Sequence, residues 1–188
     1  MSYPWEELLP QRVELAGEPF DIRSDYRDIL NICAALSDPE LSESDKVAVM
    51  LTAFYEHPED IPPDAAQEAV EKCLWFINCG EENSGRRAPK LVDWEQDFRL
   101  IVAPVNRVLG KECRSVEYLH WWTFVSAYYE IGDCLFAQVV RVRSLKARGK
   151  PLEGADKEFY RDNRALVDFK AVYTEAEKDL LRELGLTD

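Results

Sequence analysis

The spacing of apolar residues along the chain changes near residue 23. Before it, "RVELAGEPFDI" (12–22) alternates apolar and polar positions around an Ala-Gly pair, the pattern of a short β-hairpin. A hairpin this small is marginal in water alone, so it is expected to pack on helices. After it the apolar positions recur every three or four residues, which is a helical period. Ser24 can cap "DYRDILNICAAL", where Tyr26, Ile29, Leu30 and Cys33 form one stripe. Ser42 with Asp45 three residues on resembles a capping box for a second helix, with Val47, Met50, Leu51 and Phe54 inward. "HPEDIPPD" breaks that helix. Pro63 suits the first turn of a third, which carries Val70, Cys73, Leu74 and Ile77.

"CGEENSGRRAPKL" (79–91) is polar and aperiodic and reads as an exposed, mobile loop, with Arg86 and Arg87 the expected first sites of proteolysis. Asp93 then caps an amphipathic helix that places Trp94, Phe98, Ile101, Val102, Val105 and Leu109 in one arc. Pro104 is expected to kink or break it near Ala103, and Gly110 to end it. Ser115 opens the next stretch, which contains "LHWWTFVSAYYEIGD" (119–133). At ~100° per residue, Leu119, Trp122 and Tyr129 fall on one side of a helix and Trp121, Phe124, Val125 and Tyr128 on the other. A helix apolar nearly all round belongs at the centre of a bundle, with Trp122 expected against the Trp94/Phe98 stripe. Gly132 allows a turn into "DCLFAQVVRVRSLKAR", with Leu135, Val139 and Val142 inward, and two polar helices follow near 156–170 and 174–185. The fold class predicted is mainly α: a bundle of about six to eight helices with a short N-terminal β-hairpin. Residues 1–150 form the hairpin and helical core, and 151–188 a C-terminal helical appendage.

A chain of 188 residues with eight Phe, eight Tyr and five Trp suits one domain with a sizeable core. Its net charge of −13 argues against nucleic acid or an anionic membrane as the main partner, and no apolar run is long enough to span a bilayer. The charge is segregated: residues 37–64 carry eight acids against Lys46 alone, whereas 136–150 carry five basic residues and no acid. Arg141, Arg143, Lys146 and Arg148 of that basic strip are candidate partner-binding residues, Arg141 and Arg148 on one flank of their helix and Arg143 on the other. The strip is either a solvated face or a docking surface for an acidic patch, on a partner or on a second copy in a homo-oligomer. The opening residues show no export signal, and five cysteines read as free thiols in a reducing cytoplasm.

Catalytic chemistry is not evident. The two histidines, His57 and His120, lie on different predicted elements; no phosphate loop, nucleophile elbow or zinc spacing occurs. Carboxylates one turn apart, such as Asp93/Asp97 and Asp25/Asp28, arise readily in so acidic a chain. His120, beside two tryptophans, reads as a core or boundary residue. No catalytic residue, cofactor or metal ligand is therefore expected, and the chain does not read as an enzyme.

Four segments in order, "LPQRVELAGEPFDIRSDYRD" (9–28), "AVEKCLWFINCG" (69–80), "LVDWEQDFRLIVAPVNRVLG" (91–110) and "LHWWTFVSAYYEIGD" (119–133), together resemble the bacteriophage gene-product-fifteen family of long-tailed phages and prophages. The shared marks are a Leu-Pro opening with a hairpin, an Asp-Trp-Glu helix and a Leu-His-Trp-Trp helix; Trp94, Phe98, Trp121 and Trp122 form the core signature. The chain departs from the family pattern around Pro104 and in its last helix.

The resemblance implies a tail assembly chaperone, since such proteins are typically encoded between the tail-tube and tape-measure proteins. Its partner would be the tape-measure protein, kept soluble in the host cytoplasm, with the tail-tube protein as a further contact. A structural or tail-completion protein retained in the virion is the other reading. A chaperone for a long helical chain needs a soluble body and apolar grooves for amphipathic helices, and an acidic body keeps the complex dispersed.

Overall fold

The computed structural model describes residues 8–81, 88–171 and 173–184, the Ala176 side chain excepted. Residues 82–87 of the loop predicted at 79–91, Arg86 and Arg87 among them, lie outside the described residues. Strands β1 (Arg12–Leu15) and β2 (Glu18–Asp21) pair antiparallel, with Val13 opposite Phe20 and Leu15 opposite Glu18. The two turn residues both have positive φ, 51° at Ala16 and 85° at Gly17, as the favoured two-residue hairpin turn requires. Val13 and Leu15 are buried while Arg12 and Glu14 face solvent. The expected tie to helices is present: the Ala16 N–H donates to the Glu68 carboxylate at 2.9 Å.

Nine α-helices follow among the described residues: α1 (Tyr26–Ser37), α2 (Glu43–Phe54), α3 (Ala66–Ile77), α4 (Trp94–Leu109), α5 (Trp121–Tyr129), α6 (Leu135–Ala147), α7 (Gly154–Asp162), α8 (Arg164–Val167) and α9 (Glu175–Glu183). The protein is mainly α with a short N-terminal hairpin. There is one helix more than the upper bound of the prediction, because Asn163 leaves helical geometry (φ −123°, ψ 26°) and divides the segment expected at 156–170. The capping box of Ser42 and Asp45, the Asp93 cap and the left-handed Gly110 stop stand as predicted.

Three local expectations change. Asp25, not Ser24, caps α1: one carboxylate oxygen accepts the Arg27 N–H at 2.9 Å and the other the Leu119 N–H at 2.8 Å. Ser24 turns inward to Tyr118, its hydroxyl 2.7 Å from the phenol. Residues 116–120 are consequently not helical. The Tyr26 N–H donates to Leu119 O and the Trp121 N–H to Ser24 O, a short antiparallel bridge that delays α5 until Trp121. Pro104 does not break α4, although an internal proline costs ~3 kcal/mol or more. Ile101, Val102 and Val105 around it are buried, and Pro104 itself is buried with them.

The buried stripes are also rotated relative to prediction. In α2 Met50 and Phe54 are buried but Val47 is 39% exposed, because the packing gathers at the C-terminal end where Phe54 meets Phe76 at 5.3 Å. In α3 the buried residues are Ala69, Cys73 and Phe76, leaving Leu74 at the surface. Small Ala69 lets Tyr55 approach and donate its hydroxyl to the Ala69 carbonyl at 2.9 Å. Leu135, expected inward, is 44% exposed, with Phe136 buried in its place.

The main core joins the hairpin with α1 to α5 and the start of α6. A second, smaller cluster is built on Val139 and Val142 of α6 and Val167 of α8, with Leu152, Phe159 and Tyr160 against it. Residues 151–169 therefore lie on α6 through a core of their own.

Candidate functional site

The two tryptophans of the Leu-His-Trp-Trp segment close the end of α3. A helix leaves its last carbonyls without partners. The Trp121 indole N–H donates to Ile77 O and the Trp122 indole N–H to Phe76 O, each at 2.9 Å. Trp121 is buried with its ring 5.8 Å from Trp94 and stacked on Phe124. Trp122, half-buried, goes the other way, to Trp75 at 5.5 Å and Phe76 at 5.7 Å. The expected contact of Trp122 with the Trp94/Phe98 stripe is thus made by Trp121. Because α5 starts at residue 121, Trp122 lies in its first turn and reaches back over α3. Gly80 makes room for it: a Cβ there would sit 3.1 Å from the Trp122 ring, at a φ of +85°.

His120 is the N-cap of α5. Its Nδ1 accepts the Trp122 N–H at 3.0 Å, so Nε2 carries the proton and donates to Pro10 O at 3.0 Å. Both ring nitrogens are occupied structurally. Burial holds its pKa below the ordinary 6.5, against a smaller opposing effect of the Pro10 carbonyl. The unfolded chain then binds the extra proton first, so stability contributed here is complete above about pH 6.5 and is lost as pH falls through that value toward the folded pKa. We expect the urea midpoint to drop between pH 7.5 and 5.5. We expect His120→Asn, which keeps a capping acceptor, to flatten that slope; an unchanged slope in the variant would rule out His120 as its source.

The basic strip of α6 does not stand free. Arg143 is only 4% exposed, contrary to the exposed cationic flank predicted for it. Its five N–H donors are all used: Nη1 and Nη2 bridge Asp97 at 2.5 and 2.9 Å, and the remaining three reach Val167 O, Leu91 O and Leu166 O at 2.7, 3.0 and 2.8 Å. Its guanidinium also stacks 4.1 Å from the Phe169 ring centre. Arg141 pairs with Asp156 at 2.7 Å, Lys146 with Asp168 and the Tyr160 hydroxyl, and Arg148 with Ser144 of its own helix. The carboxylates met by this strip are therefore supplied by Asp97 of α4, Asp156 of α7 and Asp168, the residue following α8.

A cleft of about 1160 Å³ beside the hairpin is lined by Asp21, Asp25, Asp28, Glu56, Arg12 and Arg23. Four of these charges serve the fold: Asp21 pairs with Arg12, Asp25 with Arg27, and Arg23 donates to Thr52 O, Tyr55 O and Glu56 O at the end of α2. Burial, then the nearby Asp25, raises the Asp28 pKa. Among the described residues no group of three His, Cys, Asp or Glu side chains is placed to hold a metal ion. Burial pushes the Cys33 and Cys79 thiols up to about 11 and Cys73 higher still, so they stay protonated at neutral pH and are poor nucleophiles.

The groove between α1 and α4 has a different character. It encloses about 430 Å³ between Leu30 and Ala34 on one wall and Trp94 and Phe98 on the other, with Arg27 and Arg114 at its rim. Leu30, Trp94 and Phe98 are each only partly buried. Tyr26 forms part of the lining, stacked on Phe124 at 4.7 Å. Such an apolar trough with a charged rim suits the apolar face of an amphipathic helix. Trp94 and Phe98 were legible as a stripe; Arg27 and Arg114 were not, since only the fold brings residues so far apart in sequence together. Both are engaged, Arg27 with Asp25 and Val116 O and Arg114 with Glu112, so each is positioned rather than free to swing.

No helix among the described residues is long and apolar enough to cross a membrane. No curated protein and no solved structure matches the chain. The sequence pattern of the Bacteriophage Gp15 protein matches residues 5–169, taking in the hairpin, α1 to α8 and both tryptophans of the α3 clamp. The chain belongs to the Bacteriophage Gp15 protein family and is a phage-related protein.

Proposed function

We propose that this protein is a tail assembly chaperone that binds the tape-measure protein and keeps it soluble until the tail tube forms around it. The observation that carries the reading is the family match over residues 5–169, because genes of this family typically stand between those of the tail tube and the tape measure. The α1/α4 groove supports it physically. A tape measure is a long amphipathic helical chain, and Leu30, Trp94 and Phe98 offer such a chain an apolar seat, with aromatic anchors of the kind that dominate binding energy. Binding needs no catalysis, and the protein acts here as a reversible holder rather than an enzyme. Its net charge of −13 keeps a loaded complex dispersed.

Co-expression with the neighbouring tape-measure protein, followed by affinity capture, tests the proposal. The wild-type chain is expected to bring down the tape measure and raise its soluble fraction. Phe98→Glu places a charge in the apolar seat, and capture is expected to fall at least ~10-fold while the circular-dichroism spectrum is unchanged. Absence of capture by the wild-type chain would overturn the reading. Abundant protein in purified virions would point instead to a structural component.

A further inference from the structure

We infer that Arg143 is the positioning residue of the α1/α4 groove: acting through Asp97, it holds the first turns of α4 in the geometry that presents Trp94 and Phe98 to a partner. The inference rests on the groove being the partner's seat, and deepens that reading by naming the side chain that preorganises it.

The aromatic wall stands where a helix is least held. Trp94 is the first residue of α4, and the N–H groups of an opening turn have no partners within the helix. Two aspartates compensate, and each directly precedes one of the wall aromatics. Asp93, before Trp94, is the cap: its carboxylate accepts the Gln96 N–H at 2.9 Å. Asp97, before Phe98, reaches back and accepts the Asp93 N–H, also at 2.9 Å. The Asp97 carboxylate is itself 1% exposed, so no solvent fixes its orientation. Arg143 does, gripping both oxygens, and a further N–H of Nη1 takes Leu91 O at 3.0 Å, two residues before the cap.

Arg143 holds the other side of this turn as well. Its remaining donors take Val167 O and Leu166 O. The segment just beyond is gripped by Gln96, whose side chain donates to Asp168 O and accepts the Lys170 N–H, both at 3.0 Å. Arg143 is 4% exposed and lies outside the groove lining, so its action on a partner is indirect. Stability alone does not call for the arrangement, because a packed apolar pair is often as stabilising as a buried ion pair. What an apolar pair lacks is directed bonds that select one backbone geometry. A wall ordered in advance spares the partner the cost of ordering it on binding.

The test separates geometry from stability in the full-length chain. Asp97→Leu/Arg143→Met fills the space without stranding a charge but removes the directed bonds of both side chains. Val139→Ala is the control, since it weakens the second core while removing none of those bonds. Two readings are taken where each chain is folded by circular dichroism: exchange of the Gln96 and Asp97 amides, which bond back to Asp93, and capture of the co-expressed tape-measure protein. In the double variant exchange is expected to rise at least ~10-fold and capture to fall at least ~5-fold. In Val139→Ala both are expected to stay near wild type. Asp93→Ala, which removes only the cap and leaves the buried pair in place, is expected to move both readings in the direction of the double variant.

Wild-type exchange or wild-type capture in the double variant overturns the inference. So does unchanged capture by Asp93→Ala, or an equal loss of capture in Val139→Ala. Exchange is measured without a partner, which keeps the two readings apart. Faster exchange in the double variant with no capture even by the wild-type chain strikes the proposed function, and leaves Arg143 holding a groove whose partner is not the tape measure. Unmoved exchange with normal wild-type capture strikes only the inference.

Discussion

Replacing Asp97 by alanine is expected to cost about 3–5 kcal/mol of stability, the loss typical of a buried ion pair stripped of one partner. Both side chains are almost wholly enclosed, at 1% and 3% exposure, so the stranded guanidinium cannot recover its hydration. Arg143→Lys is expected to be nearly as damaging. An ammonium has three donors against the five that Arg143 uses and cannot grip both carboxylate oxygens while serving three carbonyls. Replacing both partners, as Asp97→Leu with Arg143→Met, removes the unpaired charge and should lie closer to wild type than either single change. Urea denaturation of the four proteins decides it. A double variant no closer to wild type than the singles, or a single-variant cost below 1 kcal/mol, would show that the pair does not act as a unit.

That pair matters beyond stability because of what it joins. Asp97 lies in the first turns of α4 between Trp94 and Phe98, the two aromatics of one groove wall. Arg143 ties it from α6 to the carbonyls of residues 166 and 167 in α8, just before the Gln96 tether that leads to α9. The groove wall and the anchor of the C-terminal helix are thus fixed by one guanidinium.

Much of this architecture was legible in the chain and the rest was not, for identifiable reasons. Caps with a local partner were readable: Ser42 with Asp45, Asp93 and Gly110 act within a few residues of themselves. Ser24 was misread because Asp25 takes the capping role together with a distant partner, the Leu119 N–H 94 residues away. The same long-range bridge kept 116–120 out of the helix that their periodicity suggested. Arg143 looked like one more cation on a basic helix, since nothing local distinguishes it from Arg141; only packing against α4 and α8 separates the buried residue from the exposed one. Of the candidate site, the Trp94/Phe98 wall was visible as a stripe. The rim, with Arg27 and Arg114, required the tertiary fold.

The adjacent tryptophans give the second large effect. Trp121→Ala is expected to cost about 3–5 kcal/mol, the range for removing a large aromatic from a core. It deletes a ring that is 2% exposed and lies between Trp94 and Phe124, and it leaves the Ile77 carbonyl without its indole donor. Trp122→Phe is the informative contrast. It keeps most of the ring contact with Trp75 and Phe76 but removes the N–H that Phe76 O accepts. Its cost should be about 0.5–1.5 kcal/mol, the net worth of one ordinary hydrogen bond. Hydrogen exchange at the end of α3 separates packing from capping: Trp122→Phe is expected to accelerate exchange of the Asn78, Cys79 and Gly80 amides, which bond back to Leu74, Phe76 and Trp75, and to leave α4 protected. Trp121→Ala should loosen both α3 and the Trp94 wall of the groove. If the two variants destabilise equally, or if α3 exchange is unmoved in both, the paired indoles are not its cap, and their adjacency reflects core filling alone.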